Sequence, residues 1–103
     1  MPYGSWINEL PTAFFMVVHI AAFALAAGFA WLAFKRELPL LGTAFSLFGA
    51  AEVTYMTYHL DWTVFLFSHT IAEVLDLAAF TLVFVAAVWQ TVTVRRAVYE
   101  GSR

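Results

Sequence analysis

Three long apolar runs, separated by short polar breaks, organise this chain. The first, Pro11 to Phe34, contains no Lys, Arg, Asp or Glu. The second, 39–60, is interrupted by Glu52 and His59, and the third, 64–94, carries His69, Glu73 and Asp76 in its first half. Each reaches the roughly 20 residues that a helix needs to cross about 30 Å of hydrocarbon. Lipid offers the backbone no hydrogen bonds, so each run is expected to be helical. The pattern predicts an all-α integral membrane protein: one domain, 1–103, with three transmembrane helices. The third run exceeds the bilayer thickness, so its end is expected to project into water.

Local signals mark the ends. Pro11 and Pro39 suit first-turn positions, where a missing N–H costs nothing. Asp61 or Thr63 suits the cap of the third helix. The links 35–38 and 61–63 are short, which predicts a tight antiparallel hairpin of helices 2 and 3. With three helices, a triangular bundle with little interior is expected.

Composition supports the membrane reading. The chain is 63% hydrophobic and 12% charged, against about 25% charged residues in soluble domains. It has no cysteine, so disulfides and thiolate metal sites are excluded. A net charge of −2 without a basic patch gives no footprint for nucleic acid.

Lys35 and Arg36 lie in the first link, and Arg95 and Arg96 after the third run; the N-terminal segment and second link have no Lys or Arg. The positive-inside rule then expects an external N-terminus and a cytoplasmic C-terminus. Tyr3, Trp6, Tyr58 and Trp62 fall at the outer boundary, Trp31, Trp89 and Tyr99 at the inner one. A cleaved signal would need positive residues before its apolar segment. Here they follow it, so a retained helix is expected.

Candidate chemistry lies within the runs. Glu52, Glu73 and Asp76 have no Lys or Arg at their depth, and His19, His59 and His69 accompany them. Ionisable groups inside spans face a bundle interior or a cavity. His19 shares a helix face with Ala22, Ala26 and Ala30, a small-residue stripe suited to close helix packing. Glu52 and His59, seven apart, share a second face; His69, Glu73 and Asp76 share a third. At about 1.5 Å per residue, Glu52 and Glu73 both lie roughly 14–15 Å below the second link. They are expected to form one coupled site with His69, open to the outside.

Several readings fit this cluster. Glu52, His59, His69 and Glu73 supply nitrogen and oxygen ligands for a divalent transition metal. His19 and His69, at similar depth on different helices, suit axial ligation of a haem or chlorin. Glu52, Glu73 and Asp76 suit a proton relay in an oligomeric proton or cation transporter. A purely structural cluster is the bland alternative: His69 and Glu73 then share an i,i+4 hydrogen bond, and His59 is a solvated boundary residue. A triangular bundle cannot hide so many polar groups, and the links are too short for a separate catalytic apparatus. The expectation is therefore a small accessory subunit, not an enzyme, of a larger membrane complex, redox or light-driven. Its partners are other membrane subunits or further copies of itself.

Overall fold

A computed structural model describes residues 3–101. The chain is all-helical: a short 3-10 helix, Ser5–Glu9, is followed by α1 (Thr12–Lys35), α2 (Pro39–His59) and α3 (Phe65–Gly101). Of these, α1 and α3 are long and apolar enough to cross a membrane. The more polar α2 carries Ser, Thr, Tyr, Gly and Glu throughout its length.

The helices form one layer and not the expected triangle. Among the described residues α2 touches both neighbours, whereas α1 and α3 do not meet. The molecule measures 65 × 29 × 20 Å. The reason lies on α2, which presents two small-residue faces. Gly42 lies against the Phe34 ring, and Gly49 against Phe23 and Ala26, so these glycines face α1. Ala44 and Ala51, each two residues on, point about 200° away around the helix. They are 0% and 1% exposed, on the side where α3 packs. Small residues let backbones approach closely. With one such face on each side, α2 is the middle of the layer.

The neighbours match it. Ala26, Ala30 and Ala33 are buried on α1, in line with the stripe expected there, and Ser68, Ala72, Ala79 and Ala86 on α3. Ser68 is the largest side chain that is fully buried. The bulky apolar groups point outward instead, among them Val17, Leu25, Trp31, Leu66, Leu77 and Phe84, all more than 60% exposed.

The helix ends show how the turns are made. Leu38 N–H donates to the Ala33 carbonyl and Glu37 N–H to that of Phe34, at 2.9 and 3.0 Å. After α2, Trp62 N–H donates to the Thr57 carbonyl and Asp61 N–H to that of Tyr58, at 2.9 and 3.0 Å. Both are Schellman closures, with Glu37 (φ +61°) and Asp61 (φ +62°) at the left-handed position usually held by glycine. Asp61 therefore ends α2 and does not cap α3. Thr63 does not cap it either: its hydroxyl lies 3.0 Å from that of Thr57. Pro39 stands in the first turn of α2 as expected, but Pro11 sits one position before α1.

α3 runs 37 residues, about 55 Å, and outlasts the expected end at Val94. Its continuation through Arg95, Arg96 and Ala97 contains good helix formers and no breaker before Gly101. From 87 to 101 every residue is exposed.

Left-handed backbone costs an ordinary L-residue about 1–2 kcal/mol, partly offset in a glycine variant by greater unfolded-chain entropy. Glu37→Gly should stabilise the fold by about 0.5–1 kcal/mol, and Asp61→Gly by less, because Asp tolerates this region better. Reversible unfolding of the two variants measures the difference; destabilisation by Glu37→Gly would contradict the closure.

Candidate functional site

The site grows from one stripe on α2. Phe45, Phe48, Glu52, Tyr55 and His59 recur at steps of three and four, so they project from a single face. Every one reaches across to a neighbouring helix. Phe45 meets Phe29 of α1 and Phe48 meets Phe80 of α3, with ring centroids 5.5 and 5.1 Å apart. The other three hold the polar groups.

At the end of the layer nearest the α2–α3 turn, rings from α1 and α2 interleave in a column. Phe15 stacks on His59 (4.8 Å, 5°), His59 lies 5.1 Å from His19, and His19 stacks on Tyr55 (5.3 Å, 20°). These separations fall in the favourable range for aromatic pairs. His59 is thus half-buried in the column and not the solvated residue expected. Tyr58 adds an edge contact to it at 5.0 Å.

Two carboxylates engage this column. His19 Nδ1 and Glu52 Oε2 are hydrogen-bonded at 2.5 Å, with side chains 17% and 25% exposed. The Tyr55 hydroxyl donates to Glu73 Oε1 on α3 at 3.0 Å. His19 and Tyr55 therefore join the pairs into one assembly, Glu52–His19–Tyr55–Glu73, which spans all three helices. Asp76 is half-buried less than one turn along α3 from Glu73, whereas Glu73 is exposed.

This arrangement redistributes the residues singled out above. Glu52 and Glu73 bind different partners, on either side of Tyr55. His69 stacks on Phe65 of its own helix at 5.1 Å, while its expected companion Glu73 accepts from Tyr55. Glu52, His59, His69 and Glu73 do not converge as a ligand set: among the described residues no group of three or more His, Asp or Glu is placed to hold a metal ion. Of the two expected haem or chlorin ligands, His19 lies in the α1–α2 column and His69 on Phe65 of α3. Tyr55 is the central residue that a search for acids and histidines passes over. Its signal was the three-four spacing of the α2 stripe.

Chemically, the assembly pairs two carboxylates with an imidazole and a phenol, all able to exchange protons. Its parts should be separable by mutation. Tyr55→Phe keeps the stacking and removes one hydrogen bond, a cost of about 0.5–1.5 kcal/mol. Glu52→Gln and His19→Gln each break the imidazole–carboxylate bond, at about 1.5–3 kcal/mol, and the double variant should be less than additive. Unfolding measurements on the cycle test this; strict additivity would show that the two side chains do not act together.

No known protein family matches the chain, and no curated protein or solved structure is significantly similar to it.

Proposed function

We propose that the chain is an integral membrane protein of three spans that serves as a small accessory subunit of a larger membrane assembly. The arrangement of its side chains supports the membrane setting. Among the described residues only Ala, Gly and Ser are buried in the helix seams, while bulky apolar groups cover the outside. In water such a surface is a severe aggregation hazard; in lipid it is the favourable arrangement. The polar character of α2 fits too, because the middle helix is shielded on two sides. The partner residues climb α3 as they descend α2, with Tyr58 against Phe65, Tyr55 against Glu73 and Phe48 against Phe80, which supports the antiparallel hairpin. The Lys/Arg asymmetry favours an external N-terminus.

One observation carries the subunit role: the polar assembly runs out of the chain at Glu73. This carboxylate is exposed, roughly 15 Å along the layer from the α2–α3 turn. An ionisable group at such depth is stable where protein or a water-filled cavity meets it. A neighbouring subunit over α3 supplies that cover.

A second reading draws on the two hydrogen-bonded pairs, Glu52–His19 and Tyr55–Glu73, which a ring stack and not a hydrogen bond joins, so that a proton passes between them only through water. With Asp76 beyond, these groups form half of a proton path; the apolar inner half of the layer leaves its completion to another chain. In reconstituted vesicles, this reading expects a proton flux that Glu73→Gln abolishes, and an equal flux from the variant would exclude it.

The principal reading is tested in native membranes. Cysteines at Ser5 and Thr63 should react with an impermeant label from outside, and one at Ala97 only after the membrane is opened. Crosslinking through a cysteine at Val74, beside Glu73, should trap the 11.5 kDa chain in a larger species. Recovery of a single uncrosslinked chain throughout would overturn the subunit role.

A further inference from the structure

The end of the layer remote from the ring column has its own feature. α2 begins there at Pro39, while α3 runs on to Gly101. The α1–α2 turn and the side of α3 border a groove of about 310 Å³, near the lower end of small-molecule sites, at roughly 300 Å³. Leu41 and Ala86 give it an apolar surface, and Trp89 adds an indole ring that is 69% exposed. Gln90 and Thr93 contribute an amide and a hydroxyl.

Glu37 is the one charged residue that lines the groove. The basic residues nearby are placed elsewhere. Lys35 Nζ lies over the Trp31 ring, 4.7 Å from its centroid. Arg95 projects from the opposite side of α3, about 180° around the helix from Ala86. Neither Arg36 nor Arg96 lines the groove.

Two features set Glu37 apart. Its backbone is left-handed, φ +61°, a region where asparagine and aspartate are enriched among non-glycine residues and glutamate is not. Its carboxylate makes no hydrogen bond or ion pair among the described residues, so no contact of that side chain offsets the backbone cost. An outlier of this kind, with its side chain unused by the fold, points to a function for the side chain. Thr93 is similar in one respect. The hydroxyls of Thr54, Thr81 and Thr91 donate to the carbonyl four residues back, whereas that of Thr93 makes no hydrogen bond among the described residues.

We infer that this groove binds a small organic ammonium ion with an apolar body. The cationic nitrogen lies between the Glu37 carboxylate and the face of Trp89, and the body lies along Leu41 and Ala86. An indole face is the preferred aromatic surface for a quaternary ammonium, and the carboxylate supplies the opposite charge. Where the ammonium carries N–H groups, the oxygens of Gln90 and Thr93 accept from them. A choline lipid offers the same nitrogen, but its phosphate would enter a groove with no Lys or Arg in its lining, so the occupant is a free cation. The inference depends on neither the membrane setting nor the subunit role.

The test uses the full chain in a neutral maltoside detergent, with equilibrium dialysis against micelles alone as the blank. The probes are benzyltrimethylammonium and neopentylbenzene, its neutral isostere with carbon in place of nitrogen. One benzyltrimethylammonium should bind per chain, and neopentylbenzene more weakly. Glu37→Gln should weaken the cation about fivefold, as for the loss of one exposed ion pair, and leave the neutral compound unchanged, which also shows that the groove is intact. Trp89→Leu should weaken the cation about three- to fivefold. Glu100→Gln removes the same charge outside the groove and should change nothing. Equal binding of the two probes by the unmodified chain overturns the inference, as does unchanged cation affinity in Glu37→Gln. Equal losses in Glu37→Gln and Glu100→Gln overturn it too, since they would indicate diffuse attraction. Displacement of the cation by added phosphatidylcholine would place a lipid headgroup in the groove and overturn the free cation.

Discussion

Close approach of helix backbones through small side chains is the constraint on which everything else here depends. Helix backbones approach most closely where the surface is Ala, Gly or Ser, and α2 has two such faces. Gly42 and Gly49 admit α1; Ala44 and Ala51 lie on the side of α3. The consequence is a flat layer with a large perimeter and almost no interior. Phe, Leu, Trp and Val have nowhere to go but outward, and the fold is suited to a surrounding that is itself apolar.

The same constraint decides where polar chemistry can sit. With no interior cavity to hold them, the ionisable groups lie along the edges of the seams, where neighbouring helices are close enough for short side chains to meet. His19 reaches Glu52 and Tyr55 reaches Glu73 because the seams beneath them are thin. The rings cover the polar atoms: Phe15, His59, His19 and Tyr55 stack one on another, which shields the imidazole–carboxylate bond from one side. Glu73 lies at the margin of this protection, and so the partner's position is proposed there.

Much of this was legible in the residues. The helix positions followed from three apolar runs and from Pro39, and the Ala26–Ala30 stripe correctly marked a packing face of α1. The layer itself was not, because periodicity says which residues share a face but not which helices meet. Asp61 misled because aspartate suits both the start of one helix and the left-handed end of another; five residues separate α2 from α3, enough room for the two roles to part. The length of α3 was underestimated because counting apolar residues stops at Arg95, whereas helix propensity does not. Tyr55 escaped notice because a tyrosine in a membrane-like run reads as an interfacial aromatic. Only the side of α2 that it shares with Glu52 and His59 reveals its role.

The separation of α1 from α3 has a consequence for how such a chain is made. Among the described residues every helix–helix contact joins consecutive helices, so the topology is of low contact order, the kind associated with fast folding. During synthesis, α1 and α2 can form their complete interface before α3 exists, since nothing in that seam waits for a later segment. α3 then docks onto a preformed face, and the Tyr55–Glu73 bond is the last polar link to close. Nascent chains would thus pass through a two-helix stage with Tyr55 already held against His19.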